Sequence, residues 1–241
     1  MAQYFAADYA GGSFALLGPP HLAALVAVLV VNLALSRFRS ACETSRRRVR
    51  WTLALGLWSA EISWHVWNLA VGTWTLQTML PLNICSLLIW LSGTMLVFKD
   101  SKIYEFAYFL GIGGALQYLA TPDLGIYGFP HFRFFQTFVS HGLLLTAPVY
   151  MTVVEGFRPK WRSLARVTLS TNVYVAGIYV LNNIIGSDYL MLNAKPATPS
   201  LLDLLPPWPY YIVCMELIGV LTFLFLYLPF FVRDRSLVNQ V

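Results

Sequence analysis

The sequence predicts an all-α polytopic membrane protein. It is read as a single domain over 1–241, a bundle of seven transmembrane helices with the N-terminus outside and the C-terminus cytoplasmic. Three observations predict this. Seven apolar stretches approach or exceed the roughly 20 residues that a bilayer span needs. Charged residues make up 11% of the chain and hydrophobic ones 58%, where a soluble domain carries about 25% charge. The basic residues also fall almost entirely in alternate connections between the stretches. This composition excludes a soluble enzyme, and 15% aromatic content excludes a disordered chain.

The stretches lie near 19–36, 49–71, 77–98, 103–121, 133–154, 164–185 and 207–231. Gly18-Pro19-Pro20 opens the first, since proline suits a first helical turn. The second carries more polar residues than a simple anchor. Pro122-Asp123 stops the fourth and Gly186 follows the sixth. Pro206-Pro207 with Pro209 opens the seventh. The longest connection, 187–206, contains Pro196 and Pro199, which favour an extended path. No basic residue precedes position 19, so no cleaved signal peptide is expected. No internal repeat is evident, which weighs against a transporter built from inverted halves.

Orientation follows from the positive-inside rule. One side receives Arg37, Arg39, Arg46, Arg47, Arg48, Arg50, Lys99, Lys102, Arg158, Lys160, Arg162, Arg166, Arg233 and Arg235, which is 14 of the 16 Lys and Arg residues. The other side has Arg133 and Lys195 alone. The net charge of +5 is thus read as a topology signal, with no nucleic-acid partner. Trp67, Trp74, Tyr127, Phe129, Trp208, Tyr210 and Tyr211 fall near the outer ends, where an aromatic belt forms. The three cysteines, Cys42, Cys85 and Cys214, make no disulfide framework.

Ionisable groups inside spans are costly and mark functional interiors. At 1.5 Å per residue, Cys85 and His141 each fall about 12 Å below the outer ends of their helices, Glu216 about 13 Å and Glu61 about 15 Å. Four helices thus place polar groups in the outer half of the bilayer, which predicts one shared cavity open to that side. Glu61, His65 and Asn68 share a helical face, as do Thr137 and His141. Interhelical hydrogen bonding is the plain alternative for such stripes. A thiol beside an imidazole is a nucleophile beside its base. Arg133, joined by His131, is a candidate for binding a lipid phosphate. Gly111, Gly113 and Gly114 suit close helix approach.

Several motifs then carry a resemblance. Leu80-Pro81-Leu82-Asn83-Ile84-Cys85-Ser86 is similar to the LPLxxCS motif of the YwaF-like integral membrane family, which includes bacterial proteins and the animal transmembrane protein 164. Phe109-Leu110-Gly111-Ile112-Gly113-Gly114 also resembles that family. So do Phe129 to Gln136 with the following His141, Val154-Glu155-Gly156-Phe157-Arg158-Pro159, and Pro207-Trp208-Pro209-Tyr210-Tyr211 followed by Glu216. The resemblance implies a seven-helix membrane fold. It also implies, from the animal member, an acyltransferase acting on lyso-ether phospholipids with a Cys–His pair, which falls here on Cys85 and His141. The compact chain resembles the bacterial branch, so a bacterial cytoplasmic membrane is the expected location.

The leading functional expectation is a phospholipid acyltransferase or transacylase working through an acyl-thioester on Cys85, with phospholipid and lysophospholipid as partners and neither cofactor nor metal. Asn83 or Ser86 would stabilise the oxyanion, and Glu61 or His65 would orient His141. With water as acceptor the same groups form a lipase. Two other classes compete. A metal-dependent intramembrane lipid hydrolase would use Glu61, His65, His141 and Glu216 as ligands. A non-enzymatic transporter, receptor or lipid-binding protein would need none of this chemistry. The last stretch has no lysine, which excludes a retinal Schiff base there.

Overall fold

Helix starts are set by local chemistry. In the computed structural model, which describes residues 2–196 and 201–238, Pro19 and Pro20 open α1 (Pro19–Ala34), and a 3₁₀ turn over Leu35–Phe38 extends it. Pro199 and the side chain of Arg235 lie outside the described residues. α2 (Glu43–Ala70) begins six residues before the apolar stretch, because the arginine run 46–50 is itself helical behind Glu43 in the first turn. α3 spans Ile84–Phe98 and ends on Lys99 in the left-handed region at φ 55°.

α4 covers 101–120 in three pieces: an α-helix Ser101–Phe106, a π-helical turn Ala107–Gly111 and an α-helix Ile112–Ala120. The Asp100 carboxylate caps it by accepting from Lys102 N–H at 2.8 Å and Ile103 N–H at 2.9 Å, which satisfies two orphan donors. α5 (Phe132–Val153), α6 (Trp161–Ile185) and α7 (Tyr210–Val238) follow. Gly186 closes α6 in the left-handed conformation at φ 66°, where a side chain would be strained.

The expected start of the third helix is corrected by seven residues. Residues 77–83 are not helical, because their backbone groups are taken by side chains and Pro81 has no N–H to give. Leu80 N–H donates to the Tyr189 hydroxyl at 2.8 Å, and Leu82 C=O accepts from the Tyr174 hydroxyl at 2.7 Å. Cys85 therefore sits in the first turn of α3, and a depth counted from Gln77 does not apply.

There are seven helices and no strand among the described residues. α5 lies at the centre, against α1, α2, α3 and α4, while α2 runs along α3 and α7 packs on α6 and α4. The buried core is drawn from Ala54 and Leu57 of α2, Met95 and Leu96 of α3, Phe109 of α4, and Leu144, Ala147, Tyr150 and Met151 of α5. Gly93 lets α3 meet α2, since a methyl group there would overlap the Trp58 indole.

Among the described residues, three helical segments are long and apolar enough to cross a membrane, and all three lie at the periphery: Pro19–Phe38, Trp161–Ile185 and Tyr210–Asp234. These peripheral segments present Val26, Leu29, Leu33, Leu169, Val173, Ile184, Leu221 and Phe225 outward. So much contiguous apolar surface calls for a bilayer around it. α3 is apolar but only 15 residues long.

One end of the core is closed by ion pairs. Glu155, just past α5, accepts from Arg50 Nη1 at 2.5 Å and pairs with Lys99 Nζ at 2.7 Å. Glu43 pairs with Arg50 at 2.8 Å and Lys99 at 3.5 Å. The Arg50 and Glu155 side chains are 6% and 3% exposed, so each depends on the other for its solvation.

Candidate functional site

The opposite end of the same core holds the candidate site. Cys85 projects from the first turn of α3 toward α4, where a methyl group on Gly114 would lie 3.4 Å from Sγ. Residue Asn83 is the N-cap of α3 but gives no side-chain cap; its Oδ1 instead accepts from Leu190 N–H at 3.1 Å. The first-turn amides of α3 are thus left uncapped by it, and uncapped amides favour an anion.

His141 lies two turns into α5. Its Nδ1 is 3.1 Å from Thr137 C=O and 3.2 Å from Ser140 Oγ. A carbonyl only accepts, so Nδ1 carries the proton and Nε2 keeps the lone pair. The imidazole stacks on Tyr118 of α4, with centroids 4.0 Å apart and planes 10° from parallel. The Cys85 thiol is also near enough to the Tyr118 phenol to act on it electrostatically. The two expected catalytic groups therefore flank one phenol, and no hydrogen bond joins them among the described residues.

Glu61 of α2 is buried at 3% exposure. It accepts a short hydrogen bond from Ser86 Oγ, and His65 Nε2 stands 3.7 Å from its Oε1. His65 Nδ1 accepts from Trp74 Nε1 at 3.1 Å, so its own proton is on Nε2 and faces the carboxylate. Glu61 is thus the partner of Ser86 and His65. The expectation that Glu61 or His65 orients His141 meets a different arrangement, in which the α5 backbone and Tyr118 hold the ring.

Arg133, the second residue of α5, ties the cluster together. Its guanidinium lies 3.7 Å over the Trp64 ring and donates to Gln136 Oε1 at 2.7 Å. It also interacts with the Tyr118 phenol and faces the Glu61 carboxylate electrostatically. Beside it opens a cavity of about 310 Å³ lined by Trp64, Trp67, Asn68, Asp123, Tyr127 and Arg133, among others.

The remaining expected residues stand elsewhere. His131 is fully buried as the N-cap of α5. Its Nδ1 accepts from Arg133 N–H at 3.1 Å and its Nε2 donates to Ala6 C=O at 3.1 Å. Both nitrogens are spent, so His131 has no ring nitrogen free for a ligand. Burial also holds the His131 imidazole below its usual value. Glu216 of α7 accepts from Asn172 Nδ2 at 2.7 Å and has no hydrogen bond to the cluster among the described residues. Lys195 donates to Leu205 C=O at 2.8 Å. No three His, Cys, Asp or Glu side chains converge on one point among the described residues.

Sequence reasoning missed Tyr118, Trp64 and Gln136. Tyr118 could have been found from its spacing: it follows Gly114 by four residues and so shares its face.

Fold and site together define the class: an all-helical protein of the membrane, with apolar outer helices around a buried acid–base and thiol cluster. The model of the TMEM164 family matches residues 16–227, and the chain belongs to that family. No curated protein and no solved structure matches it. The family and the apolar helices agree on a membrane location.

Proposed function

We propose that this protein is an integral membrane phospholipid acyltransferase or transacylase that uses Cys85 and His141 through an acyl-thioester. The observation that supports the reading is their common environment: both groups border Tyr118, inside a polar cluster that also holds Arg133. The family resemblance, through the LPLxxCS motif for Cys85 and the stretch Phe129 to Gln136 with the following His141, implies the same pair.

In this reading Nε2 of His141 takes the Cys85 proton as sulfur attacks an ester carbonyl of a donor phospholipid. The first-turn amides of α3 hold the oxyanion. The acyl C–O bond breaks, the proton passes from His141 to the departing lysophospholipid oxygen, and a thioester remains on Cys85. The hydroxyl of a second lysophospholipid then attacks, giving its proton to His141. The C–S bond breaks and the thiol recovers that proton. Arg133 binds the lipid phosphate through parallel N–H donors. The sulfur and Nε2 approach each other when substrate is bound, as resting sites are commonly looser than working ones.

The proposal includes seven spans, N-terminus outside and C-terminus cytoplasmic, in a bacterial cell membrane, supported by the one-sided basic residues. A C-terminal reporter active only outside the cell would overturn that topology. The chemistry is tested by offering phospholipid to purified protein and reading a hydroxylamine-sensitive acyl adduct on Cys85. Wild type should form it, Cys85→Ala should not, and His141→Ala should slow it by about 10²–10⁴, the usual worth of a general base. Equal adduct in all three rejects the covalent mechanism.

A further inference from the structure

Tyr118 lies on His141 and interacts with Arg133, yet it has no role in the chemistry above. It stands one turn beyond Gly114, the glycine that backs onto Cys85 Sγ. Its ring lies flat on the His141 imidazole at 4.0 Å. Its hydroxyl reaches Asp123 C=O at 3.5 Å and interacts with the Arg133 guanidinium. One rigid side chain therefore joins the base to the cation.

That cation has competing demands on it. Gln136 Oε1 takes one Nη1 donor at 2.7 Å and Trp64 covers a ring face at 3.7 Å. A phosphate binds arginine best through two parallel N–H groups. A phosphate entering from the 310 Å³ cavity beside Arg133 would contest the donors that serve the phenol. The Thr137 hydroxyl, one turn before His141, is buried and has no partner among the described residues. An acceptor or donor arriving there after a shift of the ring would satisfy it.

We propose that Tyr118 is a positioning residue that ties His141 to Arg133, so that a phosphate group arriving at Arg133 releases the phenol and lets His141 engage Cys85. The site is thereby idle until a phosphate-bearing ligand is bound. The inference rests on the reading of Arg133 as the phosphate contact, but it does not require that acyl transfer follow. It also separates two jobs of the phenol: the ring holds the imidazole plane, and the hydroxyl senses the cation.

The test measures the alkylation rate of Cys85 by N-ethylmaleimide in detergent, in a chain with Cys42→Ala and Cys214→Ala so that one thiol remains. Lysophosphatidylcholine, the monoacylglycerol of the same chain length, and inorganic phosphate are the added probes. Lysophosphatidylcholine should raise the rate about tenfold, the worth of one hydrogen bond to a charged group, and monoacylglycerol should leave it unchanged. A rise with inorganic phosphate as well assigns the trigger to the phosphate itself, and a rise with the lysolipid alone assigns it to the intact head group.

Tyr118→Phe keeps the stack and removes the hydroxyl. It should start at the raised rate and respond to none of the probes, while His141→Ala should stay slow throughout. A Tyr118→Phe chain that responds as wild type does, or a wild type that responds equally to monoacylglycerol, overturns the proposal. A phosphate response without any acyl adduct would leave the Tyr118 link standing while the acyltransferase reading falls. An adduct without a phosphate response would do the reverse.

Discussion

The two ends of the α2–α5 core both bury ionisable groups, and they use them in opposite ways. At the Arg50 end, Glu155 is held by Arg50 and Lys99, and Glu43 closes the ring on both. Acids and bases alternate, and both Glu155 oxygens are used. At the Cys85 end, His141 keeps a lone pair on Nε2, Thr137 Oγ1 has no partner among the described residues, and Arg133 divides its donors among Gln136, Tyr118 and a cavity. A saturated buried network holds helices together. An unsaturated one is poised to accept a ligand, since buried polar groups left short of partners gain most from one.

The comparison breaks first at Glu155. Glu155→Ala removes the buried counter-charge of Arg50 and leaves it only the exposed Glu43, which should cost about 3 kcal/mol, the low end for breaking a buried pair, seen as a large fall in the unfolding midpoint of detergent-solubilised protein. A loss well below 1 kcal/mol would show that the Arg50 end is not what holds the core closed. The smaller effect belongs to the other end. His141→Ala forfeits the stack on Tyr118 and one hydrogen bond, about 2 kcal/mol together, while the proposed acyl-adduct formation should nearly vanish. If His141→Ala unfolds the protein as readily as Glu155→Ala does, both ends are structural and the contrast between them disappears.

Much of the fold was legible because apolar runs and breakers act locally. Gly18-Pro19-Pro20, Pro122 and Gly186 bracket helices where expected, and the boundaries of α5 fall within a residue of 133–154. The start of α3 was not legible. Leu80-Pro81-Leu82 reads as apolar helix, and only the distant hydroxyls of Tyr174 and Tyr189 reveal that its backbone is spoken for.

The site was legible in part for the same reason. Cys85, His141, Glu61, His65 and Arg133 stand out as polar groups in apolar surroundings. Tyr118 does not, because an aromatic in a membrane helix reads as packing or belt. Glu216 stands out equally, yet its depth alone could not say that α7 turns it toward Asn172 of α6. Depth is a one-dimensional quantity, and which neighbour a helix face meets is fixed by packing.

The π-helical turn Ala107–Gly111 gives α4 two azimuthal phases. A π turn holds one residue more than an α turn, so everything after it is indexed about 100° away from where an unbroken helix would put it. Tyr104, below the turn, keeps the phase that buries its ring against Tyr108 and Phe157. Gly114 and Tyr118, above it, take the second phase, which aims them at Cys85 and His141. The second half still buries Ile112 and Ala115 in the core while it turns Gly114 and Tyr118 to the reactive cluster, and a single-residue deletion within 107–111 would realign it without disturbing the first half.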